Sequence, residues 1–161
     1  MILAVKKMLI VGLCVLTINS YAQSEYELVQ IVTQRNVLMH KMLDSYWPLI
    51  AVKNGKSTDL DEARNAATEI ATAMRESVTL FLEGTAKGEV PVSRSKPEVW
   101  TNTSDFYAAS DELIAAAESL VDASETGDAD AFVKLFPAFE AACIQCHGFK
   151  PSSGGKFRFE N

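Results

Sequence analysis

The chain is poor in the residues from which most metal and catalytic centres are assembled, with three cysteines and two histidines in 161 residues. Structural zinc takes four ligands, usually as two spaced pairs. Past the N-terminal leader only His40, Cys143, Cys146 and His147 are on offer, and an adjacent cysteine and histidine would have to share one tetrahedron. No stretch alternates apolar and polar residues as a half-buried strand does, and no segment repeats. A C-x-x-C pair here therefore lacks the βαβ setting of a thioredoxin-like centre. Positive charge is scarce as well. Fifteen lysines and arginines against 21 carboxylates give a net charge of −6, which argues against nucleic acid or an anionic membrane and favours a basic partner protein met through electrostatic steering. No nucleophile with a base, and no carboxylate pair, points to an enzyme, so no catalytic residue is assigned.

Long apolar runs are also missing. Met8–Ile18 (MLIVGLCVLTI) follows Lys6 and Lys7 and is too short to cross a bilayer. It reads as a secretory signal peptide, with Ser20 and Ala22 in SYA placing cleavage after Ala22. The expectation is a signal peptide at 1–22 and a single domain at 23–161, periplasmic and not embedded in the membrane. Cys14 leaves with the signal.

What the rest of the chain does have is apolar spacing of three and four over four long segments, the pattern of amphipathic helices. Ser24 with Glu27 forms a capping box opening the first, whose inward face takes Leu28, Val32, Arg35, Met39, Met42, Leu43 and Tyr46, running to about Val52 with a bend at Pro48. Thr58 with Asp61 caps the second, which buries Leu60, Ala63, Ala67, Ile70, Met74 and Phe81. A crossing loop, TAKGEVPVSRSKPEVWTNTS, carries Trp100. The third segment buries Phe106, Ala109, Leu113, Ala116 and Leu120 and stops at Gly127; the fourth starts at Asp128 and lines up Phe132, Phe136, Phe139 and Cys143, interrupted by Pro137, which either kinks it or starts its second half. The fold class is all-α, an antiparallel four-helix bundle with its site inside.

The fourth segment ends in AACIQCHGFKP. Positions 143, 146 and 147 stand at i, i+3 and i+4, so two sulfurs and an imidazole leave one side of a helix within a turn. C-x-x-C-H is the attachment pattern of a c-type haem: Cys143 and Cys146 form thioethers and His147 binds the iron. A redox-active or structural disulfide is the competing use of the same thiols.

With that motif on the last helix, the chain resembles the cytochrome c′ family, including its low-spin six-coordinate relatives. RNVLMHKM matches the family's arginine followed four residues later by the residue facing the distal side of the haem, here Arg35 and Met39; KPEVWTNTSDF matches its tryptophan followed six residues later by phenylalanine, here Trp100 and Phe106. The resemblance implies one covalently bound haem c inside the bundle. The family's basic residue four positions after the haem histidine has no counterpart: Lys150 stands at three, followed by Pro151 and SSGG. The last helix is therefore expected to stop near Gly148.

Met39 is the candidate sixth ligand, since a thioether is a soft donor and Met with His raises haem potential; a methionine on an apolar stripe also serves as core filler. His40 lies about 100° around the helix and is expected to face solvent. Arg35, a charge on the inward face, needs an anion, and a haem propionate would meet it in a bidentate pair unless the head reaches water or a carboxylate. The metal ligands are thus His147 and Met39. The function read from this is one-electron carriage to and from redox partner proteins, with a five-coordinate haem binding NO or CO as the alternative and a thiol-disulfide oxidoreductase as the second. Val37, Leu38 and Trp47 form an apolar patch on the first helix that leaves a homodimer open.

Overall fold

The computed structural model describes residues 24–148 and 154–159. The signal peptide expected at 1–22, and Lys150 with most of the segment after Gly148, lie outside the described residues. Among the described residues five helices follow in order: α1 Glu25–Lys53, α2 Leu60–Val78, the one-turn α3 Glu98–Thr101, α4 Thr103–Glu125 and α5 Ala129–His147. The four long ones form a four-helix bundle, with α2 packed most extensively against α4 and α1, α4 against α5, and α1 more lightly against α5. Among the described residues no helix is long and apolar enough to cross a membrane.

The helix ends follow from local chemistry. The Ser24 hydroxyl accepts from the Glu27 amide and the Glu27 carboxylate accepts from the Ser24 amide, the capping box that the sequence predicts. At α2 the prediction is one residue early: Asp59, not Thr58, is the N-cap, its carboxylate accepting from the Glu62 amide at 2.8 Å. Asp128 caps α5 in the same way, accepting from the Ala131 amide at 2.8 Å. Asp128→Ala should cost about 1 kcal/mol, read as a lower urea midpoint with an unchanged slope.

Pro137 does not divide the last helix; α5 runs unbroken through it, as α1 does through Pro48. A proline leaves the carbonyl four residues earlier without its helical donor. Here those carbonyls belong to Val133 and Asp44, both exposed residues, so water can take the donor's place.

The main core lies between the four long helices, around Phe132, Phe136 and Phe139, all fully buried, with Leu49, Ile70, Met74, Leu113 and Leu120. Alanines at 63, 66, 67 and 71 let α2 approach its neighbours closely. Two assignments of the inward stripe fail. Leu43 is 49% exposed, and Leu38, expected in an outward patch with Val37 and Trp47, is buried at 6%. On α1 the inward face is wide enough to take both the Arg35 and the Leu38 rows. Phe81 lies beyond the end of α2 and is half-buried.

Candidate functional site

Two hydrophobic clusters meet at the end of α5. Cys143 packs against the main core, and Cys146, one turn further on, packs against a second cluster of Val99, Phe106, Ala109 and Phe157 with Phe81 and Trp100 at its edge. The aromatic members touch one another: Phe81 and Phe106 at 4.7 Å between centroids, Phe106 edge-on to Phe157 at 5.4 Å, Phe81 to Trp100 at 6.5 Å. The Trp100 indole donates to the Phe81 carbonyl at 3.0 Å, holding the crossing loop across the end of α2. The tryptophan and phenylalanine picked out in the sequence thus belong to one aromatic cluster with Cys146.

Arg35 reaches this cluster from α1. Its guanidinium stacks over the Phe81 ring at 4.4 Å and is 3% exposed. It donates to Thr85 Oγ1 at 2.9 Å, the Thr85 carbonyl at 3.0 Å, Ser93 Oγ at 3.4 Å and, weakly, the Leu80 carbonyl at 3.5 Å. All four acceptors are neutral. Among the described residues no carboxylate pairs with Arg35, and burial pushes it down to about 10. Among the described residues neither the exit to water nor the carboxylate partner that the sequence allows is present; Thr85 and Ser93, which nothing in the sequence marks, hold the group instead. Two hydroxyl residues flanking the stretch AKGEVPV give no signal of that role by themselves.

Met39 is half-buried. On α1 it stands between Arg35, which touches the Cys146 cluster through Phe81, and Met42, which packs on the core cluster that also takes Cys143. It belongs to neither cluster's packing set. His40 is exposed, as its angular position predicts, and lines a groove of about 800 Å³ with Asn36, Lys87, Ser93, Arg94 and Arg158.

At the attachment turn itself both cysteines are free and half-buried. Burial, with smaller contributions from Cys146 and Glu140, pushes the Cys143 thiol up to about 12, and burial pushes Cys146 up to about 11. These are not the exposed, low-pKa thiolates of a disulfide-exchange centre. Burial, reinforced by the charge of Arg158, brings His147 down to about 4, so its imidazole is neutral at physiological pH. Tyr46 ties α1 to α5 beside them, its hydroxyl donating to Glu140 at 3.0 Å and its ring stacked on Phe139 at 6.3 Å. The α5 helix closes one residue after His147, at Gly148 with φ +78°, as expected. The chain then returns: Phe157, to which the sequence alone gives no role, is buried at 3% in the Cys146 cluster.

Residues 30–150 match the family model described as cytochrome C′. Cytochrome c′ of Rubrivivax gelatinosus is 35% identical over 89 residues, 53% of this chain and 67% of that protein. The crystal structure of cytochrome c′ from Thermochromatium tepidum superposes with a TM-score of 0.70 at 27% identity, over 85% of this chain and all of that one. A nitric oxide complex of a cytochrome c prime variant from Alcaligenes xylosoxidans shares the fold, with a TM-score of 0.68 at 18% identity over 86% of this chain and 99% of that one.

Proposed function

The chain belongs to the cytochrome c′ family, and on that premise we propose that it is a periplasmic one-electron carrier, a carrier rather than an enzyme. A single covalent haem c is the family's cofactor. In this reading Cys143 and Cys146 would hold it by thioether bonds, His147 and Met39 would ligate its iron, and Arg35 would pair with a propionate.

The observation that carries the proposal is Arg35: a buried guanidinium supported only by neutral oxygens, in contact with the aromatic cluster on which Cys146 packs. A buried cation without a counter-charge is costly, and a carboxylate delivered by a ligand would relieve it. The remaining donors fit the same group: two free thiols at the right spacing, a neutral imidazole beside them and a thioether on the facing helix. When bound, the haem supplies the Fe(II)/Fe(III) couple. The protein's own part is to fix the attachment turn at the end of α5, to surround it with apolar side chains that exclude water, and to present a charged surface to redox partners. With a net charge of −6, a partner with a basic docking surface is favoured.

The test is the spectrum of the purified exported protein. A low-spin ferric signal with a methionine-to-iron charge-transfer band, lost in Met39→Ala, is expected, together with reversible one-electron reduction. A high-spin spectrum unchanged by Met39→Ala would remove the methionine ligand and leave the five-coordinate reading, in which the iron binds NO or CO.

A further inference from the structure

We infer that the C-terminal segment Gly154–Phe159 is a clasp that positions the attachment turn, with Gly155 seated on the end of α5 and Phe157 sealing its Cys146 side, and that the clasp helps to set the reduction potential. The inference rests on the haem reading above.

His147 is the last residue of α5. Helix ends have unsatisfied carbonyls and fray, so a ligand at that position is only as fixed as whatever holds the end. In this chain the helix does not continue, and the C-terminal segment takes over. Gly155 lies so close to α5 that a Cβ there would overlap the Cys146 carbonyl and the Gly148 amide nitrogen. Only glycine fits. Phe157 then enters the aromatic cluster, edge-on to Phe106 and packed with Cys146.

The segment is fastened on the other side to the crossing loop. The Lys96 amide donates to the Phe157 carbonyl at 3.0 Å, and the Phe159 amide to the Arg94 carbonyl at 3.0 Å, around an antiparallel bridge between Ser95 and Arg158. Lys96 Nζ donates to the Gly155 carbonyl at 2.6 Å, and Lys156 pairs with Asp105 of α4 at 2.5 Å. The loop in turn is gripped from α1 by Arg35 through Thr85 and Ser93. The end of α5 is therefore braced by α1 and α4 through two pieces of irregular chain.

Removing the seal admits water to the attachment turn. Water stabilises the more highly charged ferric state, so the potential falls. The test compares holoprotein with Phe157→Ala and with Phe157→Leu, which restores an apolar plug. Expected are a lower midpoint potential and faster hydrogen exchange at the Gly148 amide, which closes the last turn of α5 onto Ile144, in the alanine variant, both largely restored by leucine. Should Phe157→Ala fail to fold, Lys96→Met, which removes one fastening from outside the cluster, is read for the same two changes. A lower melting temperature with potential and Gly148 exchange unchanged would overturn the clasp and leave the segment merely structural. Absence of haem from the wild-type protein would instead overturn the function proposed above.

Discussion

Serine at both Cys143 and Cys146 is expected to abolish covalent retention of haem: acid-acetone extracts all of the red colour from the double variant and none from the wild type. A thiol adds its S–H across a vinyl double bond, whereas a serine hydroxyl does not, so the effect is all-or-none. Each single variant keeps one thioether and should stay coloured after extraction, with a shifted absorption band. Serine is close in size to cysteine, but a hydroxyl buried without a partner costs about 1–3 kcal/mol. Both thiols pack against apolar clusters, so the far-ultraviolet circular dichroism of each variant must show that the helices persist. Colour that survives in a folded double variant would reject thioether attachment. Wild-type protein that is colourless and shows two titratable thiols on reduction would favour the disulfide chemistry instead.

The largest effect on stability is expected from Phe136→Ala. Phe136 is fully buried and its ring meets Tyr46, Phe132 and Phe139 at 5.7–6.4 Å. Truncating such a side chain loses its transfer energy and leaves a cavity, at about 3–5 kcal/mol, a large share of the total for a domain of this size. The midpoint should drop by on the order of 10 °C. Phe136→Leu, which refills most of the volume, should recover more than half of the loss. A change below about 1 kcal/mol in Phe136→Ala would mean that α5 is not held through this ring.

Much of this arrangement is legible in the sequence because it is local. Ser24 with Glu27, Asp128 and Gly127 mark helix ends through interactions spanning three or four residues, and the C-x-x-C-H spacing works within one turn. The second cap is misplaced by one residue because Thr58 and Asp59 are both good N-caps and the choice falls to backbone geometry. The proline in α5 reads as an interruption, yet its lost hydrogen bond falls on the exposed face. What the sequence does not disclose is tertiary. The partners of Arg35 are 50 and 58 residues away, and the return of Phe157 to Cys146 crosses a stretch of serine and glycine that by composition reads only as a tail. Neither has a periodicity to betray it. Leu38 is buried for a related reason: on a long helix packed against two others, the buried arc is wider than one stripe.

The turn between α1 and α2 stands apart from all this bracing. A side chain added at Gly55 would meet nothing within 4 Å, and Asn54, Gly55 and Lys56 are exposed. Extra residues there lengthen a closed loop at little entropic cost, while the same insertion between Thr85 and Lys96 would break the grip of Arg35 or the pairing with the C-terminal segment. The bundle thus has a natural splice point, where an affinity peptide or a tether to an electrode could be built in without touching the contacts that hold the attachment turn.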